Sequence, residues 1–190
     1  AALFQQQAAA PAILELLRGV QNSAEDPVLF GRAVFLASEV YLRENQLDKS
    51  LLELEKFQGP GRTLPQPLLC EGWFRRGMIY LKQGNLKSAK IYLNKVLENG
   101  SQFFYQPEAL IGLAWIAADQ NQWKQGDSLL SLLETGNFKL SDERITILKA
   151  RQAIGQDSTA QAIQLLGDAK SLMGLYFLAR AYEAAGNRIR

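Results

Sequence analysis

The chain has 190 residues, 47% of them hydrophobic and 21% charged, and its formal net charge is +2. This composition is typical of a folded protein with a substantial core, and so small a net charge indicates no general attraction to nucleic acid or membrane surfaces. The chain has no histidine and one cysteine, Cys70, which excludes internal disulfides, histidine-based acid–base catalysis and nearly all zinc sites.

The first 25 residues predict a separate N-terminal helix. Its helical pattern covers residues 8–19 and is strongest after Pro11. We interpret this helix as a remnant of an earlier unit, of which it would be the second half. Asp26 followed by Pro27 is typical of an N-cap and the first position of a new helix, so a second region begins there and covers residues 26–190.

Small residues recur at corresponding points of a helix-pair pattern in this second region. They are separated by 39, 37, 36 and 29 positions, and they are Ser38, Gly77, Ala114, Ala150 and Ala179. A period in this range predicts a solenoid of stacked helical hairpins. The approximate units are residues 26–65, 66–104, 105–140, 141–170 and an incomplete 171–190.

The second unit has the clearest motif. Its residues at the characteristic spacing are Trp73, Gly77, Tyr80, Gly84, Ala89 and Leu93. Gly77 allows close approach of the partner helix, and Ala89 does the same on the second helix. The motif resembles the tetratricopeptide repeat, with Arg76 where leucine is usual and Leu93 where phenylalanine is usual. The resemblance implies an all-α fold, a right-handed superhelical solenoid of antiparallel helix pairs.

Turn and cap signals separate the predicted helices. Glycine and asparagine fall between paired helices, where a left-handed backbone is tolerated, and Ser141 and Ser171 are predicted N-caps. Residues 59–67 form a helix-breaking loop, which is either a surface loop with a role or, as we favour, a tolerated insertion. Gly186 and Asn187 form a turn that should lead into another helix, so we expect a fragment of a longer repeat protein.

Motifs for catalysis and cofactor binding are missing from the sequence. It has no phosphate loop, dinucleotide fingerprint, nucleophile elbow or paired-cysteine metal spacing. Its carboxylates have basic neighbours and fit a solvated helix surface, and without a histidine partner Cys70 is better explained as a buried or idle thiol than as a nucleophile. We therefore expect no cofactor and no enzymatic activity.

The resemblance implies that the first helices of successive units line an inner groove. Its middle would be apolar and its C-terminal end basic. The candidate partner-binding residues are Phe35, Phe74, Met78, Ile111, Trp115, Arg151 and Arg180. An apolar groove suits the apolar face of a helix or an extended hydrophobic peptide. The chain itself, or oligomer contacts, could fill this groove instead.

These observations predict a non-catalytic interaction scaffold that binds a protein or peptide partner. The alternative is a structural segment of a longer repeat protein in a bacterial cell-envelope assembly, and a weaker third hypothesis is an accessory region of an enzyme. We expect no nucleic acid partner, because the aromatic residues occupy packing positions, and no membrane span. Self-association through the incomplete terminal repeat is a further hypothesis. Cytoplasm and periplasm both remain open.

Overall fold

A computed structural model describes residues 2–58, 64–99, 104–136, 138 and 143–186. These residues form ten α-helices, one short 3₁₀ helix (Lys56–Gln58) and no strand, so the predicted all-α fold is confirmed. The α-helices are α1 Ala2–Ser23, α2 Pro27–Arg43, α3 Leu47–Glu55, α4 Gln66–Lys82, α5 Leu86–Asn99, α6 Gln106–Asp119, α7 Trp123–Thr135, α8 Glu143–Gly155, α9 Thr159–Leu166 and α10 Leu172–Ala184. The predicted cap Ser141, residues 59–63 of the predicted loop and Asn187 lie outside the described residues.

The helices after α1 are arranged as pairs of sequence neighbours. The pairs α2–α3, α4–α5, α6–α7 and α8–α9 each lie within one of the proposed repeat ranges, and α10 is the first helix of the last range. The chain forms two compact units, unit 1 (residues 1–106) and unit 2 (residues 107–190). The assignment of residues 26–190 to one domain stays a prediction.

The turns between paired helices have a common geometry. One left-handed residue occurs seven positions after the small residue of each repeat: Asn45, Gly84, Asn121, Asp157 and Gly186, with φ of 55°, 73°, 55°, 60° and 75°. The amide of the next residue donates to a carbonyl five positions earlier in the four complete pairs, at 2.7–2.9 Å, which satisfies the end of the first helix. The prediction of left-handed glycine and asparagine at these turns is confirmed. In the fourth repeat an aspartate, Asp157, takes this conformation, which the sequence did not predict.

Local contacts explain two of the helix starts. The Asp26 carboxylate accepts a hydrogen bond from the Val28 amide at 2.9 Å, with Pro27 in the first turn. The Ser171 hydroxyl accepts from the Gly174 amide at 3.0 Å. Both are predicted N-caps, and both are confirmed. Pro11 lies inside α1, as it does in the predicted helical pattern over residues 8–19.

Close packing inside the pairs is explained by the small residues. A Cβ atom on Gly77 would lie 2.8 Å from the Leu93 side chain, which is completely buried. In the first pair, the Ser38 and Ser50 hydroxyls are 2.8 Å apart, and the Ser50 hydroxyl also donates to the Ser38 carbonyl at 2.9 Å. At the corresponding close contact, the pair α2–α3 therefore has two buried serine hydroxyls, and the pair α4–α5 has a glycine, which has no side chain.

The core of unit 1 lies between α2, α3 and α4. Its buried members include Val34, Phe35, Leu54, Phe57, Leu64, Leu68 and Ile79. Leu64 belongs to the predicted 59–67 loop, so this end of the loop is anchored in the core. A polar cluster joins α1 to α3: Gln21 donates to the buried Glu53 at 2.6 Å, and Lys56 contacts both side chains at 2.6–2.7 Å.

One core cluster of unit 2 is formed by α8, α9 and α10. Its buried members are Ile147, Ala150, Ala153, Ala162, Leu166 and Ala181. Gln152 of α8 fixes α7, because its side-chain amide donates to the Trp123 carbonyl at 2.7 Å and to Asp127 at 3.0 Å. Arg144 holds α6 through two bonds of 2.8 Å to Glu108. These contacts position the first helices α6, α8 and α10.

Candidate functional site

A surface groove of about 650 Å³ lies in unit 1 between α2 and α4. The lining residues are Ser38, Glu39, Leu42, Phe74, Arg75, Met78, Ile79, Leu81, Lys82 and Tyr105. The α4 residues follow one face of the helix at spacings of three and four positions. Tyr105 is contributed by the segment that precedes α6. The groove volume is in the range of ligand-binding clefts.

The middle of this groove is apolar and partly aromatic. Phe74 and Tyr105 stack with their ring centroids 4.9 Å apart and an interplanar angle of 25°. Met78 is 41% exposed, and Leu42 and Leu81 are half-buried. Met78 is therefore available to an incoming apolar side chain, and thioether side chains adapt well to different partners.

A charged network forms one end of the groove. The buried Glu71 accepts hydrogen bonds from Arg75 at 2.9 and 3.1 Å, and Arg75 also lies 3.5 Å from Glu39. Burial raises the pKa of the Tyr105 hydroxyl, and the charge of Glu71, to which the hydroxyl donates a hydrogen bond, raises that pKa further. Since Arg75 lies between two carboxylates, its charge is already compensated. In the described residues, Lys82 on α4 has no ion-pair partner.

The predicted exposure of two candidate residues is corrected by the structure. Phe35 is 3% exposed and Ile111 is 4% exposed, so neither side chain is accessible. The Phe35 ring packs on Phe57, with centroids 4.7 Å apart, and the Arg75 guanidinium lies 4.9 Å from the Phe35 ring centre. Phe35 is covered because the turn after α3 places Phe57 against it.

A second cavity, of about 400 Å³, lies within unit 2 among the first helices α6, α8 and α10. The lining residues are Ala118, Asp119, Asn121, Trp123, Arg151, Ile154, Gly155, Tyr176, Phe177 and Arg180. Arg151 donates to Asp119 at 2.5 Å. The guanidinium of Arg151 also lies 5.2 Å from the Trp115 ring centre and 5.8 Å from that of Phe177. Two aromatic rings and one carboxylate therefore fix this cation.

The candidate residues fall into separate groups. Phe74 and Met78 line the unit 1 groove, and Arg151 and Arg180 line the unit 2 cavity. Trp115 is half-buried and supports Arg151. A single groove lined by all of these side chains stays a prediction. Sequence reasoning missed Tyr105 as a groove residue, because it lies in a connecting segment, outside the helical pattern that identified the others.

The described residues show little that would support metal or thiol chemistry. They contain no group of three or more histidine, cysteine, aspartate or glutamate residues that could hold a metal ion. Cys70 is completely buried, and this burial raises the pKa of its thiol. None of the helices in the described part of the chain is long and apolar enough to cross a membrane.

Comparison with known proteins identifies the class. A family model described as the tetratricopeptide repeat matches residues 70–100, the repeat with the clearest motif. A crystal structure of a tetratricopeptide repeat protein from Parabacteroides merdae is similar to the chain, with a TM-score of 0.74 and 14% identity over 96% of this chain and 70% of that one. No curated protein matches the chain.

The chain is thus a helical-repeat protein, and the predicted solenoid class of its fold is confirmed. More narrowly, residues 70–100 match the tetratricopeptide repeat model, and the chain has the fold of a tetratricopeptide repeat protein. Such repeats generally mediate protein–protein interaction, and the proteins that contain them are typically non-catalytic scaffolds.

Proposed function

We propose that the chain is a non-catalytic scaffold that binds an apolar segment of a partner protein in the unit 1 groove. The observation that carries this proposal is the accessible apolar surface of Phe74, Met78 and Tyr105 in a groove of about 650 Å³. Large apolar and flexible side chains exposed together on a concave surface are typical of sites that accept a peptide. The absence of histidine and the buried Cys70 support a role without catalysis.

Charge favours a partner segment that carries an acidic residue beside its apolar side chains. At one end of the groove, the positive charge of Arg75 is compensated by Glu39 and Glu71. Lys82 lines the groove without an ion-pair partner among the described residues, so a carboxylate on the partner would meet an uncompensated cation there. Such rim charges contribute mostly to the association rate and the salt dependence.

In a second candidate arrangement, a segment of the chain itself partly fills the unit 1 groove. Tyr105 stacks on Phe74 and its hydroxyl bonds to Glu71, so the chain already covers part of the apolar floor. If Tyr105 competes with the partner, Tyr105→Ala will strengthen partner binding. If Tyr105 is part of the binding surface, the same substitution will weaken it.

A peptide selection tests the proposal and does not require the partner to be identified. A random peptide library is selected on the wild-type chain, and the dissociation constants of the enriched peptides are then measured for Phe74→Ala and Met78→Glu. We expect enriched peptides with clustered apolar residues and an acidic neighbour. Each substitution should raise the dissociation constant by about 10-fold or more, as expected for a central hot spot worth at least roughly 1.4 kcal/mol.

Ile91→Glu is the matched control, because Ile91 is 49% exposed on α5 of the same repeat and does not line the groove. It introduces the same charge as Met78→Glu and should leave peptide binding unchanged. Circular dichroism establishes that all variants stay helical. Enriched peptides that bind the groove variants and the control equally would refute the groove as the binding site. A concentration-dependent dimer that blocks selection would favour oligomer contacts in the groove.

A further inference from the structure

Two arginines line the unit 2 cavity. The guanidinium of Arg151 is held in place by its neighbours, and that of Arg180 is not. Arg151 is held by Asp119 at 2.5 Å and lies against the rings of Trp115 and Phe177. A guanidinium carries five N–H donors in a rigid fork, and a single hydrogen bond to Asp119 uses one of them. Because aromatic faces and a carboxylate already orient this cation, little side-chain entropy is lost when an anion binds to it.

The guanidinium of Arg180 has only a weak ion-pair partner. Its nearest carboxylate is that of Glu183, at 3.9 Å, and the two side chains are 57% and 70% exposed. An ion pair of this length and exposure contributes little. Arg180 makes no hydrogen bond to another residue in the described part of the chain, and it lines the same cavity as Arg151.

The remaining walls of the cavity are aromatic and apolar. Tyr176 is 53% exposed and meets the Phe177 ring edge-on, with centroids 5.1 Å apart. Trp123 and Ile154 form further parts of the lining. The cavity volume of about 400 Å³ is in the range of sites that hold small ligands. An aromatic side chain would therefore find flat apolar surfaces beside two cations.

We propose that this cavity is a second peptide-binding site, which accepts a side-chain carboxylate next to an aromatic side chain in an internal segment of a partner protein. The charge of the lining supports a single carboxylate, because two guanidiniums and one aspartate leave one uncompensated positive charge. The carboxylate lies between the two guanidiniums and accepts charge-assisted hydrogen bonds, and the aromatic ring packs on Tyr176 and Phe177. This site is independent of the unit 1 groove.

Blocked hexapeptides are the probes for this site. Their sequence is Gly-Ser-Phe-Glu-Ser-Gly, acetylated and amidated so that glutamate supplies the only carboxylate, with matched peptides in which glutamine replaces glutamate or alanine replaces phenylalanine. Binding in the millimolar range is followed by NMR at the indole signal of Trp123, which lines the cavity, with the indole of Trp73 in unit 1 as an internal control. We expect the parent peptide to bind about fivefold tighter than either matched peptide.

Two exposed residues of α10 test the charge requirement in opposite directions. Arg180→Gln should abolish the preference for glutamate over glutamine, and Glu183→Gln should strengthen binding of the glutamate peptide about twofold, because it removes a competing carboxylate. Ile91→Glu on α5, a residue that lines neither the unit 1 groove nor the unit 2 cavity, should change neither the preference for glutamate nor the affinity. The proposal is overturned if the glutamine peptide binds as tightly as the glutamate peptide. It is also overturned if the Trp123 signal does not move, or if Arg180→Gln retains the preference in a chain that circular dichroism shows to be folded.

Discussion

The contact between Gly77 and Leu93 allows a quantitative test of helix packing. Glycine inside a helix costs about 0.5–1 kcal/mol relative to alanine, so Gly77→Ala would stabilise α4 if space were available. A Cβ atom there would instead lie 2.8 Å from both Cγ and Cδ2 of Leu93, and Leu93 has no exposed surface. Overpacking a closed contact costs about 1–3 kcal/mol, so we expect a net destabilisation of about 1 kcal/mol.

The same contact predicts a specific coupling. Leu93→Ala alone should destabilise the chain by about 2–5 kcal/mol, because it leaves a cavity. In that background the Gly77→Ala methyl group has space, so the substitution should now stabilise the chain by about 0.5–1 kcal/mol. The coupling energy between the two positions is therefore about 2 kcal/mol, within the range observed for residues in contact.

Gly84 supplies the matched control for this experiment. Its φ is +73° and nothing lies within 4 Å of a Cβ atom built there, so Gly84→Ala costs about 1–2 kcal/mol from backbone conformation alone. That cost should be the same with and without Leu93→Ala. Free energies of unfolding come from urea titrations followed by circular dichroism. If Gly77→Ala and Leu93→Ala are additive within about 0.5 kcal/mol, the close contact does not limit packing and the reasoning fails.

Three further predictions follow from buried groups. Gln21→Ala should lower the urea midpoint by an amount equivalent to about 1–2 kcal/mol, because the buried Glu53 loses a hydrogen bond of 2.6 Å; an unchanged midpoint would contradict this. Gly126→Ala should lower the thermal midpoint, since its Cβ would overlap the Gln152 side-chain amide; equal midpoints would show that Gln152 moves without cost. Burial in the folded state raises the pKa of Cys70 and that of Tyr105 above their unfolded values. The stability that these groups contribute is therefore fully present below the unfolded pKa values and is lost as the pH rises through the folded ones. Replacing either by a residue that does not titrate (Cys70→Ala or Tyr105→Phe) should reduce the alkaline loss of stability measured by urea titration at several pH values, and equal slopes would refute it.

Much of the fold could be predicted from the sequence because its signals are local. A small residue such as Gly77 marks a close contact, and a glycine or asparagine such as Asn45 or Gly84 marks a left-handed turn. Asp157 occupies the same position in the fourth repeat, yet aspartate is common in many settings, so the sequence alone did not identify that turn.

The candidate site was less predictable because side-chain exposure depends on what covers a helix face. The helical register places Phe35 toward the groove, but Phe57 from the turn after α3 covers it. Tyr105 enters the groove from a connecting segment, and no periodic pattern reports where such a segment leads. The sequence predicts Arg151 as a partner-binding residue at the basic end of the groove, whereas its orientation depends on Asp119 one repeat earlier. Contacts between repeats are not encoded in the pattern within one repeat.

The interval of seven positions between each small residue and the left-handed residue of its turn has a consequence for protein engineering. That interval is constant in all five repeats, while the distance from each left-handed residue to the next small residue varies from 22 to 32 positions. One residue inserted between Ser38 and Asn45 would rotate the end of α2 by about 100° relative to its small residue. Residues 136–143, after α7, lie in the part of a repeat whose length already varies. A reporter peptide spliced in there changes no interval between a small residue and its turn, whereas the same graft between Ser38 and Asn45 would break that interval and rotate the end of α2.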